Sequence, residues 1–234
     1  VGLLFFPENI NYITGIILEF SVPVAVISLM WVSIYNGNNP LSLSLVILDT
    51  ILSPFLIPAT LKILVGSNIK MDTAGMMKEL VFMIALPAVI AMCLNEFSHG
   101  KVMETWPKKL APFSKMCLIF VVTSNSSKVS PYIKHLNGER LAVTAIILVL
   151  SASGYAIGWL IAIVTKQNKE STVSMIYGSG MRNISAGAVI ASAYFPAECL
   201  FPVMIGTLFQ QILAAFYGSL VRRIQMSQCK KEDI

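Results

Sequence analysis

Apolar residues run along this chain in windows of nearly constant length, separated by short polar connectors. The windows fall at about 12–35, 41–64, 77–95, 110–127, 141–165, 173–195 and 200–221. A membrane-spanning helix needs about 20 largely apolar residues, within a range of about 17–25, so each window predicts one span. Strands of a membrane barrel would alternate apolar and polar positions over about ten residues. The stretch "LAVTAIILVLSASGYAIGWLIAIVT" (Leu141 to Thr165) is instead apolar all round. The prediction is an all-α integral membrane protein, a single helical bundle with no room for a separate soluble domain.

Two of the windows are interrupted. The first, "ILEFSVPVAVISLMWVSIYNGN", carries Pro23 about a third of the way in, with Ser21 and Ser28 around it. The second, "IYGSGMRNISAGAVIASAYF", holds Gly178, Ser179, Gly180, Arg182 and Asn183 at a similar depth. A charge in mid-span costs roughly 2.5–3.5 kcal/mol even on insertion scales and marks a functional site by default. Broken backbone survives in a membrane where it lines a cavity or is buried in protein.

Each interrupted window is followed by a short loop and a further helix, "LVILDTILSPF" after the first and "PVMIGTLFQQI" after the second. Asp49-Thr50 lines up with Gly206-Thr207, and Ser28 with Asn183, at nearly the same offset. This is a weak internal repeat. Five windows follow residue 76 and only two precede it, which predicts a pair of five-helix repeats whose first copy lacks three helices. An odd number of spans per repeat makes the repeats inverted, as in many secondary transporters whose midplane site is built from discontinuous helices. The expected division is residues 1–75 as the remainder of the first repeat, 76–225 as the second, and 226–234 as a polar tail. The chain opens on Val1 without the layout of a signal peptide, so an N-terminally incomplete chain is expected.

Composition sharpens the membrane reading. Hydrophobic residues make up 56% and charged residues 12%, with a mean hydropathy of +0.74, whereas soluble domains carry about 25% charged residues. The net charge of +5 belongs to topology, because basic residues gather on cytoplasmic loops. Placing the C-terminus inside puts Lys101, Lys108, Lys109, Lys166, Lys169, Arg222, Arg223, Lys230 and Lys231 in the cytoplasm. The expectation is a multi-pass protein of the cell membrane with a cytoplasmic C-terminus. The dispersed charges form no folded basic face, so no nucleic-acid partner is expected.

Cys93, Cys117, Cys199 and Cys229 have no metal-site or disulfide spacing. His99 and His135 fall in connectors, and no nucleophile with a base stands out, so no enzyme is expected. Glu19, before the Pro23 break, reads either as reaching the cavity or as snorkelling to the interface, the commoner behaviour near a helix end, and Lys115 reads as snorkelling to the headgroups. Gln210 and Gln211 read as interhelical hydrogen-bonding groups or as lining, and "SASGYAIG" (Ser151 to Gly158) as a close-packing surface.

The segments "PVAVISLMWVSIYNGN", "LSLSLVILDTILSPFLIPATLKILVG" and "GSGMRNISAGAVIASAYFP" together resemble the bile acid:sodium symporter family of secondary transporters, from about residue 18 to 221. The most specific part is Tyr35-Asn36-Gly37-Asn38 followed by Leu41-Ser42 and Thr50-Ile51-Leu52-Ser53-Pro54. The resemblance implies ten helices in two inverted repeats, split between a panel and a core domain, with the fourth and ninth helices unwound where they cross. This chain would supply helices four to ten. Sodium-coupled members hold two cations near that crossing and move an amphipathic or small organic anion. Carried over, Ser28 and Ser42 match hydroxyl ligands of one cation, and the backbones of Ser179 and Met181 match carbonyl ligands of the other.

Several ligand positions depart from the family pattern. An asparagine is replaced by Leu29, a threonine by Val46, a shared glutamate by Gly178 and a glutamine by Arg182. A guanidinium has only donors, so Arg182 cannot ligate a cation, but it can stand in for one or bind a substrate carboxylate. Sodium coupling is therefore expected to be weakened or absent, with sodium or a proton as the candidate coupling ion and no other cofactor. Asp49 has three open readings: a partner for Arg182, a proton-coupling group, or a solvated residue of a cavity. The expected function is secondary active transport of a small organic anion by alternating access in a lipid bilayer. The alternatives are an exporter of metalloids or other solutes on the same architecture, or a non-transporting receptor.

Overall fold

The computed structural model describes residues 9–66, 72–134 and 137–232, some positions on Lys101–Lys134 and beyond Arg223 by backbone alone. His135, and the side chains of Lys115 and Cys229, lie outside the described residues. The helices are α1 (Ile10–Ser21), α2 (Ser28–Ile34), α3 (Asn39–Val65), α4 (Thr73–Phe97), α5 (Lys101–Lys134), α6 (Gly138–Val164), α7 (Lys169–Gly180), α8 (Ile184–Tyr194) and α9 (Ala197–Glu232). Among the described residues there is no strand, only one isolated antiparallel bridge between Val24 and Arg182. This is an all-α membrane protein.

The apolar windows become helices in two ways. Over Asn39–Val65, Thr73–Phe97, Gly138–Val164 and Ala197–Arg223 the helix is long and apolar enough to cross a membrane unaided. The windows at 12–35 and 173–195 are each split into two short helices, α1 with α2 and α7 with α8. The remaining window, 110–127, lies inside α5. Large apolar side chains point outward from the long helices, Ile63, Phe97 and Phe120 among them, as expected of a surface solvated by lipid rather than water.

Asparagine and aspartate set the helix starts. Asn9, Asn38, Asp72, Asn137, Asn168 and Asn183 each accept a hydrogen bond at the N-cap from an amide of the first turn. The segment Tyr35-Asn36-Gly37-Asn38 closes α2, with Asn36 at φ 54° and the Gly37 amide returning to the Val32 carbonyl at 2.8 Å. Helix α3 runs through Pro54 without breaking. Proline has no amide for the carbonyl four residues back, and the Ser53 hydroxyl supplies the missing bond, donating to the Thr50 carbonyl at 2.8 Å. In α4 a single π-helical turn, Val81–Ala85, precedes Pro87.

The main core lies where α1, α3, α6, α8 and α9 meet, around Leu18, Ile57, Leu61, Ile147, Ile190 and Phe201. A second cluster joins α2, α6, α7 and α9 through Val32, Tyr155, Ile176, Tyr177, Met181 and Ala214. Tyrosine hydroxyls tie these helices together: Tyr155 donates to the Gln210 carbonyl at 3.0 Å, Tyr177 to Ala214 at 2.9 Å and Tyr217 to Ala152 at 2.9 Å. The small residues of Ser151 to Gly158 let α6 lie against α7. A Cβ at Gly158 would stand 2.6 Å from the Met175 carbonyl oxygen and 2.7 Å from the Ser179 Cβ.

Glu19 corrects the sequence-based expectation. It is 2% exposed and packed between α1 and α9, so it does not snorkel. Its place in the α1 turn faces it inward, and no length of side chain reaches water from there.

The α6–α7 contact is directly testable. Gly158→Ala should lower stability by about 1–3 kcal/mol, the usual cost of overpacking, whereas Gly138→Ala, with nothing within 4 Å of its Cβ, should not. Thermal midpoints of the two variants in detergent decide; equal midpoints would mean that α6 and α7 can separate freely.

Candidate functional site

The two breaks meet. Helix α1 stops at Ser21 and α2 begins at Ser28; α7 stops at Gly180 and α8 begins at Ile184. The unwound segments cross antiparallel, the Ala25 amide donating to the Met181 carbonyl at 3.1 Å and the Asn183 amide to the Pro23 carbonyl at 2.7 Å. Between those bonds lie the amides of Val24 and Arg182, which point away from the opposite segment. Each is met by a side chain from the helix that follows its own broken pair. The Val24 amide donates to Asp49 Oδ2 on α3 at 2.7 Å, and the Arg182 amide to Gln210 Oε1 on α9 at 2.9 Å.

Proline at position 23 suits this arrangement, since it has no amide to satisfy and offers only its carbonyl. All four remaining amides of the crossing are paired. Each would otherwise cost several kcal/mol in hydrocarbon.

The arginine guanidinium turns back on its own helix. Arg182 Nη2 donates to the Ser179 carbonyl at 3.2 Å, one of the carbonyls at the C-terminus of α7 that lack a helical amide partner. A cation there also meets the negative end of the helix dipole. Asp49 supplies a further favourable field, although its hydrogen bond goes to the Val24 amide and not to the guanidinium.

Beside the crossing lies a cavity of about 420 Å³, lined mainly by Leu45, Leu48 and Leu52 of α3, Ile161 of α6 and Met175 of α7. Asp49, Ser179, Gly178 and Val24 bring it to the crossing. A Cβ at Gly178 would meet only Leu45, at 3.5 Å, so the position has room for a side chain.

The sequence-predicted residues divide by place. Pro23, Asp49, Met181, Arg182 and Asn183 come together at the crossing, and Gly178 and Ser179 open onto the cavity beside it. Asn183 spends its side-chain oxygen on the Ala186 amide, capping α8 at 3.2 Å. Gly180 packs under the Tyr155 ring. Ser28 and Ser42 stand at the starts of α2 and α3, 1% and 3% exposed, and Ser42 Oγ is buried without a hydrogen-bond partner. Gln210 matters more than its sequence suggested. It lies one turn beyond Gly206-Thr207 and does for the Arg182 amide what Asp49 does for the Val24 amide. Gln211 accepts from Trp31 Nε1 at 2.9 Å.

This geometry agrees with what the chain is similar to. A family model described as the SBF-like CPA transporter family matches residues 4–226, and the chain belongs to that family, one of transporters and not of enzymes. YbaS of Bacillus subtilis (strain 168), an uncharacterized protein, is 40% identical over 225 residues, covering 96% of this chain and 74% of YbaS. The uncharacterized sodium-dependent transporter YocS of the same organism is 21% identical over 90% of this chain and 66% of its own length. The probable sodium/metabolite cotransporter BASS1 of Oryza sativa subsp. japonica, a chloroplast protein, is 23% identical over 89% of this chain. The chain spans about half the length of that plant relative, 52%.

The side-chain caps of the crossing generate a prediction. Asp49→Ala removes the acceptor of the Val24 amide and should cost about 1–3 kcal/mol by orphaning that amide. Asp49→Asn keeps an acceptor and should cost less, and Gln210→Ala should cost about 1–3 kcal/mol by orphaning the Arg182 amide. Thermal midpoints in detergent rank them; Asp49→Ala and Asp49→Asn behaving alike would mean that the Val24 bond holds nothing.

Proposed function

We propose that the protein is a secondary transporter of a small organic anion that works by alternating access about the crossing of α1–α2 and α7–α8, in a cell membrane with its C-terminus in the cytoplasm. On this reading residues 1–75 and 76–225 are the remnant and the whole of two inverted repeats. The supporting observation is the position of Arg182, at a crossing of two broken helices and beside a cavity. One guanidinium nitrogen is engaged by the Ser179 carbonyl, and a guanidinium carries five N–H donors, so donors remain for a substrate carboxylate.

The relatives named as sodium/metabolite cotransporters make sodium the first coupling ion to consider. A hard cation takes several oxygen ligands. At the second of the two sites that the resemblance implies, Gly178 has no side chain to offer and the Ser179 carbonyl already accepts from Arg182. The guanidinium there does what a bound cation would do, neutralising the carbonyl end of α7. The first site keeps two buried hydroxyls, Ser28 and Ser42, the latter unpartnered. Sodium is thus confined to the Ser28/Ser42 side, and Arg182 is a permanent replacement on the other.

Exchange of a panel of labelled carboxylates in proteoliposomes tests this reading. Arg182→Gln should reduce exchange about tenfold or more, as loss of a charge-assisted hydrogen bond of about 1.5–3 kcal/mol implies. The double variant Gly178→Glu with Arg182→Gln restores oxygen ligands and should make the remaining exchange more dependent on sodium. Arg182→Gln exchanging like the unmodified protein, with the same sodium dependence, would refute the role of the arginine.

A further inference from the structure

Glu19 is a buried carboxyl that the crossing does not use. It lies near the end of α1, four residues before Pro23, and is 2% exposed. Its Oε2 is buried without a hydrogen-bond partner. Across from it α9 has Gly206, and the carboxyl fills the space a Cβ there would need. The absence of a side chain at position 206 makes a slot for the acid between the two helices.

An ionised carboxylate accepts hydrogen bonds and offers none, and burying it unpaired is among the most costly arrangements in a protein. Among the described residues no counter-charge acts on it. The titratable or charged side chains described on the helices packed against α1 are Asp49 and Lys62 on α3, Tyr194 on α8, and Glu198, Cys199, Tyr217, Arg222 and Arg223 on α9, with Arg140 of α6 bonded to Tyr12 of α1, and none of them acts on Glu19. Among the described residues no group of histidine, cysteine, aspartate and glutamate side chains could hold a metal ion with it. A proton is the ligand that removes the charge without requiring further oxygens.

Asp49, the other acid of the membrane interior, is committed to the Val24 amide as an acceptor. Glu19 is free to gain and lose a proton without breaking a hydrogen bond that the fold depends on, and it sits on the half-helix that leads into the first break.

We propose that Glu19 is a proton-binding site, occupied in the conformation described here, whose release of the proton is linked to substrate exchange. Only the link to exchange rests on the transport reading. Two measurements on the purified protein test it. Infrared spectra in deuterated buffer should show a protonated-carboxyl C=O band at neutral pH that Glu19→Gln removes. In proteoliposomes, exchange by the unmodified protein should depend on pH, and exchange by Glu19→Gln should lose that dependence. If Glu19→Gln is too unstable to purify, Gly206→Ala replaces it. The added Cβ displaces the carboxyl and should shift the band and its pH midpoint. No band attributable to Glu19 would overturn the proposal, and an unchanged pH profile in Glu19→Gln would overturn the link to exchange. Absence of exchange by the unmodified protein would count against the transport reading, and the infrared result would still decide the proton site.

Discussion

In hydrocarbon a backbone amide that leaves a helix must find another acceptor, and the centre of this protein is a solution to that constraint. Two helices come apart at the same depth and use each other as partners. Two amides pair across the crossing, and the two that face outward are taken up by Asp49 and Gln210. The helices around them follow from this arrangement. Helices α3 and α9 must pass close enough to deliver one side chain each, and the tyrosine hydroxyls that bind α9 to α6 and α7 keep Gln210 in reach. The glycines of α6 let it approach α7 just below the break.

A crossing made in this way leaves carbonyls at the end of α7 with nothing in the helix to meet them, and such oxygens attract cations. In this chain an arginine meets one of them. Arg182 comes from the break itself and returns to Ser179, while Gly178 leaves space where a glutamate stands in the family pattern. On the proposed reading the guanidinium takes the place of one mobile ion, and the loss of the glutamate leaves that place one unit more positive than a glutamate with its sodium. The proposed consequence is a carrier whose dependence on sodium is reduced, in a family whose relatives are named for that ion.

Much of this was legible in the sequence. The apolar windows predicted the long helices, and Pro23 and the Gly178 to Asn183 stretch marked both breaks, because proline, glycine and a charge in mid-span each oppose continuous helix for a physical reason. The partner of each outward amide was not legible. Asp49 drew attention through its charge, which suggested a pair with Arg182, yet its hydrogen bond goes to a backbone amide that no sequence pattern displays. Gln210 was legible as an interhelical hydrogen-bonding group, but it carries no charge and falls one turn away from the aligned position, so its backbone partner was not. Glu19 was misplaced because its distance from the helix end, and not the direction of its side chain, was the available cue. Direction depends on which helix packs against α1, and that is set by α9 from the far end of the chain.

If Arg182 occupies the place of one cation at the crossing, the protein has room for one sodium ion at most. The most direct test is the stoichiometry of radioactive sodium binding to the purified protein at saturation, measured against choline at constant ionic strength. The account predicts no more than one bound sodium per chain, abolished by replacing Ser42. Two sodium ions per chain would contradict it, since the second could be held only if the guanidinium had left the Ser179 carbonyl.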